Sequence, residues 1–291
     1  MKTNNHFRRL TALTALILAL CVIFTSCSKG GSTPGEDVTL SPAGELAQSR
    51  LAQDNLSPDA KKVSVKKAIA AYKDAANAVK TDTVKFTKTR WEDYDNITSS
   101  DPTGITANLM TVISRNLVVN KFDDYESKAK IYDTADEIKE NFPVYGQDYA
   151  CGEIDDSAMT SAVKIKDGDN TTYVIYFADC VNANPGDPGL GSVMTTVNRE
   201  AILDSIKQYI AVINLETLKF DCTYSGCYMK FTVDKSGALV DLEQNLFCDI
   251  DASAELSLVL FNTNFINGKC TFESHTHYFD FAPTAAAADA E

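Results

Sequence analysis

The stretch from Val240 to Leu260, near the C-terminus, limits what this chain can fold into more than any other. Every second position reads Val240, Leu242, Gln244, Leu246, Cys248, Ile250, Ala252, Ala254, Leu256, Leu258 and Leu260, and the residues between include Asp241, Glu243, Asn245, Asp249, Asp251, Ser253, Glu255 and Ser257. Side chains of a β-strand point to opposite faces in turn, so this alternation describes a long antiparallel strand with one covered face and one wet face. Only Gln244 interrupts the apolar set. Strands usually run for about 3 to 10 residues, so the stretch is expected to bend or split near Asp251 to Ala254.

The residues ahead of it supply its neighbours. Leu218, Phe220, Cys222 and Tyr224 alternate in the same way, followed by Cys227, Met229, Phe231 and Val233 and a turn at Ser236-Gly237. A two-residue turn there sets Val233 opposite Val240 and Phe231 opposite Leu242, which brings both apolar sets to one face. A slip of one residue would send the whole set into water, so the pattern itself selects the register. A last strand from Thr271 to Phe281 closes the meander.

The chain begins differently. Lys2, Arg8 and Arg9 precede an apolar run from Leu10 to Phe24, and Thr25-Ser26-Cys27 follows. A short basic region, an apolar run too short to span comfortably, and small residues before a cysteine describe an export signal over residues 1–26, with Cys27 as the lipidation site. The segment Phe24-Thr25-Ser26-Cys27 resembles the lipobox of bacterial lipoproteins, with Phe24 where Leu is usual. Removing the signal takes three cations and no acids from the 27 Lys+Arg and 40 Asp+Glu of the chain, leaving a charge of about −16. So acidic a chain disfavours nucleic acid as a partner. Residues 27–62 are rich in Gly, Pro and polar side chains and read as a tether with a reach of roughly 30 Å. Residues 283–291 read as a disordered tail.

Residues 63–282 read as one domain. Ser64 is an N-cap for a helix carrying Val65, Ile69, Tyr72, Ala76 and Val79 on one face. A strand from Thr81 to Tyr94, with Val84, Phe86 and Trp91, comes next, then a helix bearing Leu109, Val112, Ile113 and Leu117. Thr134 and Glu137 have capping-box spacing for a helix that ends before Pro143. Met159 to Lys166, the turn Asp167-Gly168-Asp169-Asn170 and Thr172 to Ala178 form a hairpin, the DGDN being turn chemistry rather than a calcium loop. Asn198 opens a helix with Ile202, Ile206, Tyr209 and Ile210 as its stripe. The fold class is α+β, with helices packed on one face of a curved, half-barrel-like antiparallel sheet.

Six cysteines fall in this domain: Cys151, Cys180, Cys222, Cys227, Cys248 and Cys270. An even set in an exported chain suggests three disulfides among 15 connectivities. A hairpin loop at Tyr224-Ser225-Gly226 would bring Cys222 to Cys227, and Cys151 with Cys180 and Cys248 with Cys270 complete the favoured set. The spacings match no zinc finger or ribbon.

Signatures of chemistry are absent from the sequence. There is no Gly-x-Ser-x-Gly, His-Glu-x-x-His, phosphate loop or dinucleotide fingerprint, so no catalytic residue, cofactor or metal ligand is assigned. Only His275 and His277 survive signal removal. With Glu273 they share one side of the last strand, a geometry able to hold an ion, but no third or fourth ligand can be placed and a pair of surface histidines on an edge strand is the plainer reading.

The order of elements, with Tyr224-Ser225-Gly226, Phe231-Thr232-Val233-Asp234-Lys235-Ser236-Gly237 and Tyr278-Phe279-Asp280-Phe281, resembles the LolA/LppX-like lipid-binding envelope lipoproteins and uncharacterised lipoproteins of anaerobic gut bacteria. That resemblance implies a curved sheet whose helices leave an apolar cavity for acyl chains. On this reading the chain is a membrane-anchored, extracytoplasmic, non-enzymatic lipoprotein, and Leu218, Met229, Phe231, Leu242, Leu246, Leu256 and Leu258 line a site for lipid or another hydrophobic molecule. The alternative is a surface structural or protein-interaction module whose apolar face is a sealed core.

Overall fold

A computed structural model of the chain describes residues 59–99, 129–209, 213–256 and 264–284. The described residues form an open, ten-stranded antiparallel sheet with three helices, the α+β class read from the sequence. The second helix expected from the sequence, around residues 109–117, lies outside the described residues, as do the signal, Cys27, most of the tether and residues 285–291, while Pro283, expected to open the tail, ends the last strand. Among the described residues no helix is long and apolar enough to cross a membrane.

In chain order the strands are β1 (Lys61–Val63), β2 (Val84–Ser99), β3 (Lys130–Tyr132), β4 (Met159–Asp167), β5 (Asn170–Phe177), β6 (Cys180–Val181), β7 (Ile213–Tyr224), β8 (Tyr228–Val233), β9 (Leu239–Leu256) and β10 (Asn264–Pro283). They lie side by side as β1-β4-β5-β8-β9-β10-β2-β3, with β6 and β7 continuing the lines of β5 and β8. The organising stretch is β9, a single strand that does not split between Leu239 and Leu256. It pairs with β10 without a break from Leu242 opposite Tyr278 to Leu256 opposite Asn264. The irregularity expected near Asp251 to Ala254 is taken up by its partner β7, where residues between Asn214 and Lys219 are extra to the ladder and Thr217 Oγ1 accepts the Glu255 N–H at 2.9 Å.

The sequence expects a hairpin between Tyr224 and Tyr228, and the structure corrects this. β7 and β8 both run antiparallel to the same edge of β9, one after the other. Tyr224 faces Cys248 and Tyr228 faces Asn245, so the chain fits one residue more than its partner through this step, with Gly226 at a positive φ of 68°. A bulge, rather than a reversal, separates the two strands. At the next turn Phe231 faces Leu242 as expected, but Val233 faces Leu239. The loop has three residues, closed by the Asp234 and Ala238 backbones, with the Asp234 carboxylate accepting from Ser236 and Ala238 and Gly237 at φ 89°. The longer loop shifts the register, so Leu239 enters the core and Val240 is left 39% exposed.

Helix α1 (Val65–Thr81) explains how the sheet is covered. Ser64 caps it, its Oγ accepting from the Lys67 N–H, and Ala68, Ile69, Tyr72, Ala75, Ala76 and Val79 are buried along its length. β1 feeds it from beside β4, and it runs into β2 on the far side. Five interstrand spacings of about 4.8 Å separate β4 from β2, roughly 24 Å, and 17 residues at about 1.5 Å each give roughly 25 Å. The helix therefore matches the width it crosses. Helix α2 (Ala135–Asn141) is capped by Thr134, which accepts the Glu137 N–H, and α3 (Arg199–Tyr209) by Asn198, which accepts the Ala201 N–H. Segments 142–151 and 190–197 complete the cover with Phe142, Val144, Leu190, Val193 and Met194, all buried.

Gln244, the polar member of the apolar set, is buried and bonded. Its amide donates to the Val193 carbonyl at 2.7 Å and reaches the Tyr72 hydroxyl at 3.4 Å, tying β9 to α1 and to the 190–197 segment. Replacing Gln244 with Met leaves a buried carbonyl without its donor, a cost of about 1–3 kcal/mol. Urea unfolding of the variant is expected to show that loss, and an unchanged midpoint would refute the role given to the amide.

Candidate functional site

The inner face of the sheet was the expected ligand site, and the structure puts those residues in the protein's own core. Met229, Phe231 and Leu242 are completely buried, Leu246 nearly so, and Leu218 is half-buried against the same cluster. Phe231 lies between Tyr173, stacked at 5.1 Å, and the edge-on ring of Tyr72 at 5.3 Å. The side chain of Leu256, and Leu258 altogether, lie outside the described residues. At these positions the occupant of the apolar face is protein: α1 and the 142–151 and 190–197 segments.

Towards β2 the same face turns polar, a feature the sequence reading missed. Alternation along β2 puts Phe86, Lys88, Arg90 and Glu92 inward, opposite Tyr278, Thr276 and Ser274 of β10. Lys88 Nζ donates to the Asn141 carbonyl at 3.1 Å and sits 4.3 Å from the centroid of the Tyr145 ring. Arg90 pairs with Glu92, and the hydroxyls of Tyr145 and Tyr278 are 3.0 Å apart. Burial alone would raise the Tyr145 phenol, but the Lys88 ammonium and Arg90 guanidinium outweigh it and hold the group below the usual tyrosine range. Burial, and then Tyr145 itself, push Tyr278 the other way. Lys80 fastens the same segment from α1, donating to the carbonyls of Val144 at 2.8 Å and Gln147 at 2.7 Å. The signal was present in the sequence as Lys88, Arg90 and Glu92 in phase with Phe86, and it was hidden because charged residues in alternation read as a wet face.

On the outer face the structure changes the reading of the histidines. β10 lies between β9 and β2 and is not an edge strand, and His275 is buried. Glu273, His275 and His277 do share a face, opposite Phe247, Asn245 and Glu243 of β9. They do not converge on one another. His275 Nδ1 bonds the Asn245 side-chain oxygen, while His277 Nε2 lies 2.7 Å from Asp241 Oδ2 and its ring packs on Phe279. The residues whose ligand atoms come together are His277, Asp241 and Glu243, all within 4.8 Å of one another. Their signal was the acidic i, i+2 pair on β9, which takes part only through the neighbouring strand. Glu243 and Asn245 are themselves buried, so the face expected to be wet is closed at its centre.

No two of the six cysteines stand at disulfide distance in the structure. Cys222 and Cys227 stand on either side of a bulge along one line of the sheet instead of across a hairpin. Cys222 of β7 and Cys270 of β10 flank Ile250 from its two sides, and Cys248 is the next inward residue on β9. Cys151 sits apart, its N–H donating to Asn77 of α1. Burial pushes the thiols of Cys151 and Cys227 up to about 12. The Cys248 thiol is raised by its hydrogen bond with Cys222 and by burial.

Two outcomes check this geometry. Among the six cysteines from 151 to 270, iodoacetamide at neutral pH is expected to label only the half-buried Cys180 in the native chain, and all six in denaturant without reductant; failure to label in denaturant would reveal disulfides. A pH titration of tyrosine absorbance is expected to show one phenol ionising ahead of the others. Lys88→Met should move that early phase upward, because the cation favouring phenolate is gone, and a phase that stays put would contradict the assignment to Tyr145.

No family model, curated protein or solved structure matches this chain.

Proposed function

We propose that the chain is an exported, lipid-anchored and non-enzymatic domain of the cell envelope, held off its membrane by a tether and serving as a structural or protein-interaction module with a sealed core. The observation that carries the choice is the burial of Met229, Phe231 and Leu242, which leaves those side chains no surface to offer an acyl chain. A hydrophobic ligand there would have to displace α1, and with it the apolar burial of six helix residues, each large one worth about 1.5–3 kcal/mol. Supporting export are the basic and apolar leader and the small residues before Cys27. The acidic balance of the processed chain supports a partner other than nucleic acid.

Native mass spectrometry of the chain isolated from its own host tests the reading, together with the variant Leu242→Asp. The wild type is expected to carry no lipid-sized mass beyond the covalent anchor at Cys27. The variant buries an unpaired carboxylate, a cost of several kcal/mol, and is expected to lose its cooperative unfolding transition. A wild type carrying a further, noncovalent lipid that denaturation releases, with a variant that stays folded but empty, would replace this reading with that of a carrier.

A further inference from the structure

We propose that Asp241, Glu243 and His277 form a binding site for a single zinc ion on the outer face of the sheet. Alternation along β9 sends Asp241 and Glu243 to that face, and the antiparallel register of β10 sets His277 directly opposite Glu243. Asp241, two residues earlier on the same face, lies diagonal to His277, and the two are already in hydrogen-bond contact at 2.7 Å between Oδ2 and Nε2. Each of the three offers one ligand atom, and the three atoms lie within 4.8 Å of one another. Around a tetrahedral zinc with bonds of about 2.0–2.2 Å, ligand atoms stand roughly 3.3 Å apart. The His277–Asp241 contact therefore needs to open by about half an ångström, and the flexible Glu243 side chain to close by at most about 1.5 Å. No backbone movement is required.

The composition of the group selects the ion. An imidazole among the ligands favours zinc and related transition metals over calcium and magnesium, which prefer oxygen throughout. Two carboxylates balance the charge of a divalent cation, and three protein ligands leave the fourth position to water. The partner strands carry Thr232 opposite Asp241, Lys230 opposite Glu243 and Thr89 opposite His277, so one cation stands beside the two acids in the absence of an ion. His277 and Asp241 are both partly exposed, so an ion reaches the group without opening the core.

Isothermal titration of the full chain, in detergent, with zinc chloride tests the assignment, and cobalt substitution reports the ligand type. The expected result is one bound zinc, at least tenfold weaker binding in His277→Gln and in Asp241→Asn, and wild-type affinity in Glu273→Gln, whose carboxylate lies outside the group. The cobalt spectrum should lack a thiolate charge-transfer band. Should either ligand variant unfold, as judged by circular dichroism, Glu243→Gln serves in its place. Absence of zinc binding by the wild type, binding that the ligand variants leave unchanged, or a thiolate band placing the ion on the cysteines would each overturn the site.

Discussion

The pairing of β9 with β10 is the constraint on which the rest of the molecule depends. It runs unbroken from Leu242 opposite Tyr278 to Leu256 opposite Asn264, and it decides what each face of the sheet contains. A slip of one residue would carry Leu242, Leu246, Cys248 and Ile250 outward and bring Asp241, Glu243 and Asn245 under α1. In the observed register, Tyr278, Thr276, Ser274, Phe272 and Cys270 of β10 are inward, and His277, His275 and Glu273 outward. The buried core, the polar corner beside β2 and the histidine-carboxylate group are thus consequences of one alignment.

Beyond β9 the sheet is dislocated at a single level. The chain breaks between Phe177 and Cys180 and again between Tyr224 and Tyr228, and Phe177 N–H bonds the Cys227 carbonyl across the two breaks. An extra residue in a ladder strengthens the local twist. On one side of the step, β5 and β8 offer Ile175, Met229 and Phe231 to the core beneath α1. On the other, β7 is held to α3 by Arg199, whose Nε donates to the Phe220 carbonyl at 2.9 Å. The step lets one continuous sheet pack against two separate covers, and it explains why Gly226, with its positive φ, occurs where the sequence suggests a hairpin.

The parts of this architecture that were legible in the sequence are those carried by short-range signals. Capping by Ser64, Thr134 and Asn198, the Asp167-Gly168-Asp169-Asn170 turn, and the alternation of β9 each need only a few neighbouring residues, and each element stands where those residues put it. The errors came from relations between distant segments. Tyr224-Ser225-Gly226 has the composition of a hairpin loop, and whether it reverses the chain depends on which edge receives Tyr228. The Ser236-Gly237 turn was placed correctly, but the bonds from the Asp234 carboxylate lengthened its loop to three residues and moved Val240 out of the core. The candidate site was legible in half: His277 was visible, while Asp241 and Glu243 looked like ordinary wet-face acids until β10 was laid beside them.

The inward charges of β2 show how a buried face can carry ionic groups. Lys88, Arg90 and Glu92 lose their hydration on folding, and a buried ion pair recovers that cost only with good geometry and further hydrogen bonds. Here the further partners are the Asn141 carbonyl and the Tyr145 ring, both supplied by residues more than fifty positions after Lys88. These groups meet only when β2 is in register with β10 and the 142–149 segment is seated. Apolar side chains would fill the same space under several registers, whereas a buried lysine tolerates the one that gives it acceptors. The charges therefore act against misalignment at the side of the sheet where β9's alternation has least influence. They are enclosed by the protein's own tyrosines, so the polar corner is held by the same packing that aligns β2 with β10.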